Sequence, residues 1–157
     1  ENESLSRRPT GLTRPHKKHE AALGSWIRDS DSKFLFTIND LIRFYPSSLV
    51  ADLEIIAKNL YILHAGTAIA TLKHDKLVPE HASAMSLYLD KDNFERIPLT
   101  ADQAIQFLRK ETLSFENVVR GYALVDYEDT TLGWVNVLQN RLNNLYPSEW
   151  RIRMQSR

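Results

Sequence analysis

The residues best equipped for chemistry crowd into positions 132–153, where Asn140, Asn143 and Asn144 stand with Arg141, Arg151 and Arg153, Tyr146, Trp134 and Trp150. Guanidinium and carboxamide groups are planar donors suited to phosphate oxygens and base edges, and aromatic faces can stack on unpaired bases. The same residues would also close a small β-domain as a buried turn. Trp134, pointing inward from a strand, reads as core. Asn143-Asn144 tolerates left-handed backbone and caps turns, and Tyr146-Pro147 and Trp150 are expected to pack the loop onto a sheet. The arginines read differently. Arg141 falls in a turn, and Arg151 and Arg153 alternate along an expected edge strand, which would put both on one face. Arginine is the residue suited to bidentate phosphate contacts, so Arg141, Arg151 and Arg153 are the first candidates for touching nucleic acid. Asn140 and Asn143 are candidates for reading a base.

A second cationic cluster, Lys73-His74-Asp75-Lys76, ends an expected hairpin shortly before a helix expected from Pro79. Helix-end amides and ammonium groups together favour an anion, so Lys73 and Lys76 join the candidates; an exposed polar turn is the competing reading. His64, His74 and His81 invite a metal reading, but their spacings of ten and seven fit neither a helical pair nor a zinc motif. No metal site is therefore assigned. Single scattered glycines form no phosphate-cradling loop, no Gly-x-Ser-x-Gly elbow occurs, and the chain has no cysteine to act as a thiolate nucleophile. No catalytic residue is assigned.

The elements that must position these groups follow from pattern. At 157 residues, 43% hydrophobic and 25% charged, the chain reads as one globular domain or two small ones. No apolar run is long enough to span a bilayer. Absent cysteines fit a reducing compartment, and the expected location is cytoplasmic. Glu1 in place of a start methionine suggests a fragment or a processed chain. Net charge is zero but uneven: residues 1–24 hold five Lys/Arg against three Glu, and residues 141–157 hold four Arg against one Glu, which leaves the middle acidic. A neutral total argues against a strong non-specific polyanion binder, while basic ends permit a local phosphate-binding surface.

Residues 1–14 read as a flexible leader. A helix is expected from Pro15, with Ala22, Leu23, Trp26 and Ile27 on one face. Residues 33–38 alternate as a strand, Asn39-Asp40 opens a short helical turn closed by Pro46, and residues 53–57 and 60–64 have strand length. Residues 60–73 form an expected hairpin around Gly66, and a helix runs from Pro79 to Leu89. Ile97 to Leu99 is a brief strand, Thr100 caps a helix over 101–110, and residues 121–127 and 131–138 form a second hairpin. The fold class expected is α+β with two small subdomains sharing a core. Residues 1–24 would be leader and first helix, 25–92 an α+β subdomain, and 93–157 the second.

The segment 122–136, Tyr-Ala-Leu-Val-Asp-Tyr-Glu-Asp-Thr-Thr-Leu-Gly-Trp-Val-Asn, and the segment 140–152, Asn-Arg-Leu-Asn-Asn-Leu-Tyr-Pro-Ser-Glu-Trp-Arg-Ile, resemble the C-terminal end of bacterial Sun-type rRNA cytosine-C5 methyltransferases of the RsmF-like branch. Leu-Tyr-Ile-Leu-His-Ala-Gly at 60–66 and Leu-Lys-His-Asp-Lys-Leu-Val-Pro-Glu-His-Ala at 72–82 resemble the preceding domain of that family. The resemblance covers about residues 25–153. It implies that 93–157 is a PUA-like RNA-binding domain, a mixed β pseudo-barrel with flanking helices, and that 25–92 is the inter-domain subdomain. It implies ribosomal RNA, 16S, as partner. It also implies S-adenosylmethionine as cofactor of a catalytic domain that has no counterpart in these residues, so this chain by itself would carry no cofactor and no catalysis. The alternative is a protein-interaction or structural module docking on a catalytic domain or a partner subunit. Two departures remove positive charge from the family pattern: Asn136 stands where a lysine is usual after Gly133-Trp134, and Leu72-Lys73-His74-Asp75-Lys76-Leu77 is less basic than its counterpart.

Overall fold

The computed structural model describes residues 12–115, 118–139 and 141–154. Helix α1 (Lys17–Gly24) leads into strands β1 (Lys33–Ile38) and β2 (Leu41–Pro46), then helix α2 (Val50–Asn59), strands β3 (Thr67–Lys73) and β4 (Lys76–Pro79), and the five-residue helix α3 (His81–Met85). The C-terminal part runs β5 (Glu95–Pro98), α4 (Ala101–Leu108), β6 (Gly121–Tyr127), β7 (Thr130–Val137) and β8 (Leu142–Asn144). The first four strands make an antiparallel meander. In the second sheet β5 lies parallel to β6, with α4 as the crossover, and the remaining pairs are antiparallel. The class is α+β, with a mixed sheet in the C-terminal part.

Turn chemistry explains where this order departs from the sequence reading. Asn39-Asp40 does not open a helix. It is the two-residue loop of a hairpin in which Ile38 faces Leu41, with Asn39 at φ 46°, a conformation asparagine accepts readily. Residues 41–46 are therefore a strand. The expected hairpin over 60–73 is absent, and the true one is β3–β4. Lys73 faces Lys76 across His74 and Asp75, both at positive φ as a type I′ turn demands.

The apolar run at 53–57 is helical, because Val50, Leu53 and Ala57 recur at three and four residues among the good helix formers Glu54 and Lys58. The helix expected from Pro79 to Leu89 shrinks to α3, since Pro79 ends β4 and Leu89 instead bridges Ile27. Helix α4 forms as expected. Thr100 and Gln103 make a reciprocal capping box, leaving Ala104 and Phe107 on the buried face.

Three cores result. One lies under α4, with Phe107, Ala123, Val125 and Val135 at its centre. Another joins α1 to the first sheet through Leu23, Ile42, Phe44 and Ile69. The third sits between the second sheet and α3, which packs on β3 as well as on β7. There Trp134 is fully buried with Ala84, Leu89 and Leu124, and the Trp26 and Phe94 rings pack against it at 6.4 and 4.7 Å. Its indole Nε1 donates to Ser83 Oγ at 3.0 Å, so the one polar atom of this ring is satisfied inside the core. Trp134 is core, as its strand position predicted. Residues 25–28 and 88–93 reinforce the seam: Arg28 N donates to Tyr88 O, Asp90 N to Trp26 O, and Asn93 Nδ2 to Ser25 O.

Candidate nucleic-acid interface

Helix α4 ends in a way that fixes the C-terminal segment. Its last carbonyls have no partner within the helix and must find one elsewhere. Lys110 N returns to Phe107 O and Glu111 N to Gln106 O, the Schellman pattern, with Lys110 at φ 62° in the position glycine usually holds. The other two donors come from further along the chain. Asn144 Nδ2 donates to Phe107 O at 2.8 Å, and Ile152 N donates to Leu108 O at 3.0 Å. A lysine at a glycine position is unfavourable for the backbone, and the use of its side chain explains why it stands there. Lys110 Nζ donates to Tyr146 O and to Ser148 Oγ, both at 2.8 Å, while Arg109 Nη2 donates to Met154 O at 2.8 Å. Residues 144–154 are thus laid across the end of α4 and tied down by backbone and by two cations.

This is not the edge strand expected over 151–153. After the short helical turn Ser148–Trp150 the chain runs extended without a strand partner, Arg151 at φ −57° and ψ 139°. The pairing that would force Arg151 and Arg153 onto one face is missing. What the anchoring does achieve is outward display, for Trp150, Arg151, Ile152, Arg153 and Met154 are all exposed.

Trp150 differs from the expectation. It does not pack into the sheet but is 60% exposed. Its ring stands perpendicular to that of His81, the first residue of α3, at 5.3 Å, and the other neighbour of that imidazole is Tyr146 at 5.2 Å. Tyr146 does pack inward, against Phe107 at 5.4 Å. His81 is half-buried, and burial lowers its imidazole below the ordinary range despite the opposing carboxylate of Glu80. Its Nδ1 is buried with no hydrogen-bond partner among the described residues. Gly133, at φ 152°, permits this packing: a Cβ there would lie 3.0 Å from both His81 Nδ1 and Phe107 Cζ.

The other predicted residues are distributed over the fold. Arg141 is exposed beside the β7–β8 connection, where its carbonyl accepts from Leu138 N. Asn143 pairs with Asn136 in the β7–β8 ladder. Asn144 is architectural, holding Phe107 O with its amide nitrogen and accepting from Tyr146 N with its amide oxygen. Asn140 lies outside the described residues.

Lys73 and Lys76 are exposed at the β3–β4 tip, which contacts the first turn of α1 through Asp75. Asp75 between them is ion-paired to Lys18 and bonded to His19 at 3.0 Å, so that tip docks on α1 and carries its own anion. The Lys18 ammonium, more than any other group, draws the Asp75 carboxyl below its ordinary range. Among the described residues no three His, Asp or Glu gather as metal ligands; His64 faces Arg43 and His74 occupies the hairpin tip.

Sequence reasoning passed over Lys110 and Arg109, and weighed His81 as a metal ligand. The available signal for Lys110 was a helix stop with no glycine to take the left-handed position.

Residues 94–152 match the family described as the methyltransferase RsmF PUA domain. That range begins at Phe94, in the seam between the sheets, and ends at Ile152 on the α4 carbonyl. No curated protein matches the chain. No helix among the described residues is long and apolar enough to cross a membrane.

Proposed function

We propose, on the premise that residues 94–152 form a PUA-like region of the kind found in RsmF-like methyltransferases, that this chain is the RNA-binding C-terminal region of an rRNA cytosine-C5 methyltransferase. The observation that carries the reading is the anchored segment 144–154. An RNA-holding surface needs cations displayed outward on a frame that does not move, and Arg151 and Arg153 satisfy that description. Arg141 extends the surface, and Asn140 and Asn143 are its candidates for contacting bases. Lys73 and Lys76 form a second, outlying cationic point. In this reading the chain contributes no catalytic group. It positions ribosomal RNA, 16S, for an S-adenosylmethionine-dependent domain in the bacterial cytoplasm.

The test is RNA affinity as a function of salt. Three arginines neutralising three phosphates of an unpaired strand give a slope of log affinity against log salt of about −2, and Arg151→Ala/Arg153→Ala flattens it to about −0.7. A protein that binds no RNA at low salt refutes the reading.

One observation favours the second reading, docking on the catalytic domain. Helix α2 buries Leu53 but leaves Ile55 and Ile56 exposed, with Leu60 and Leu63 just beyond it. Ile56→Glu/Leu60→Glu would weaken association with that domain while leaving RNA affinity unchanged.

A further inference from the structure

We infer that Trp150 is a stacking platform for an unpaired base, so that the interface selects single-stranded over duplex RNA; this rests on the RNA reading above. A tryptophan is a costly residue to leave in water, and the two others of this chain are drawn into the shared core. Trp150 is 60% exposed, and its one ring neighbour among the described residues, His81, stands perpendicular to it at 5.3 Å. That exposure leaves most of the side chain available to a flat partner.

The backbone that carries the ring is also held in place before any ligand arrives. The turn Ser148–Trp150 closes through Trp150 N donating to Pro147 O, Lys110 fixes Ser148, and Ile152 N is fixed on Leu108 O. Such preorganisation lowers the ordering cost of binding. On the C-terminal side of the ring come Arg151 and Arg153, both exposed. An aromatic face next to cations is the arrangement by which proteins hold single strands: the face takes the base and the guanidinium groups take the flanking phosphates. In a duplex both faces of each base are already occupied by stacking, which leaves the indole nothing to add. Cations by themselves would hold either form.

The experiment titrates the whole chain with a short single-stranded RNA and with the duplex of the same sequence, following tryptophan fluorescence and affinity. The single strand is expected to bind more tightly and to quench emission, and the quench should vanish in Trp150→Phe. Trp150→Leu, which keeps an apolar side chain and loses the aromatic face, should weaken single-strand binding by about 5- to 150-fold, the range of one lost base stack, and barely change duplex binding. Arg151→Ala/Arg153→Ala should weaken both. Equal binding of strand and duplex with no effect of Trp150→Leu overturns the stacking inference and leaves the RNA reading intact. Absence of binding to either RNA overturns both.

Discussion

His81 is the residue whose chemistry depends most on its surroundings. In the unfolded chain its imidazole titrates near the ordinary 6.5, whereas burial between Tyr146, Trp150 and Gly133 pushes the folded value down. Below that ordinary value the unfolded chain binds the extra proton, so the stability His81 contributes is complete above about pH 6.5 and is lost as pH falls through the folded value. The difference in urea midpoint between wild type and His81→Gln should accordingly shrink as pH drops from about 8 to about 5, and parallel curves would contradict it. Little of this was legible in sequence, where His81 figured among three histidines set aside as metal ligands. The burial arises from Gly133 and Tyr146, more than fifty positions away, and no local pattern announces it. Trp134 was legible because strand alternation alone puts it inside. Trp150 was misread because it was grouped with Tyr146 as loop packing, whereas only Tyr146 reaches the core at Phe107; the alternation expected of Arg151 and Arg153 failed because their segment forms no ladder.

Elements announced by a cap or a long alternation could be foreseen; those decided by two-residue turns or by tertiary contacts could not. The Thr100-x-x-Gln103 box announces α4, and the alternation of residues 121–127 with the returning 131–138 announces the β6–β7 pair. Helix α2 was mistaken for strand because Leu53, Ile55, Ile56 and Ala57 make a short apolar run of strand length, and only the spacing of Val50, Leu53 and Ala57 decides it. The end of α4 was the least visible feature, since its partners lie at Asn144 and Ile152. Lys110→Gly gives this element a direct test. Glycine relieves the left-handed backbone at φ 62° but removes both ammonium contacts to residues 146 and 148. Amide hydrogen exchange should quicken at residues 146–150 while the α4 amides stay as protected as before or gain protection. Unchanged exchange at 146–150 would show that the lysine is not the tether.

At the scale of the whole molecule the aromatic core around Trp134 joins Leu124 and Trp134 of the second sheet to Ala84 of α3, Leu89 and Trp26, and α3 and Trp26 in turn pack on the first sheet and its core. Replacing Trp134 by alanine should cost about 3–5 kcal/mol, the range for large aromatic truncations, and take the indole donor from Ser83 Oγ, which still donates to Glu80 O. Because the lost contacts tie the second sheet to the elements that pack on the first, unfolding should remain one transition in which far-UV dichroism and Trp26 emission change together at a lower denaturant concentration. Separate transitions would show that the sheets fold independently. The α+β class and a core shared by the two parts were legible from the order of elements, and the mixed C-terminal sheet from the family resemblance. The membership of that core was not, because its residues are spread from Trp26 to Leu145.

The same seam bears on what can be inherited or transplanted as a unit. Residues matching the PUA family start at Phe94, yet the face of β6 and β7 carrying Leu124 and Trp134 is covered by α3 and Leu89, which precede that start. A chain cut at that border would bare a tryptophan and strand its indole nitrogen. In this protein the portable module is larger than the recognisable one, and a graft onto another enzyme must bring at least residues 81–93 with it.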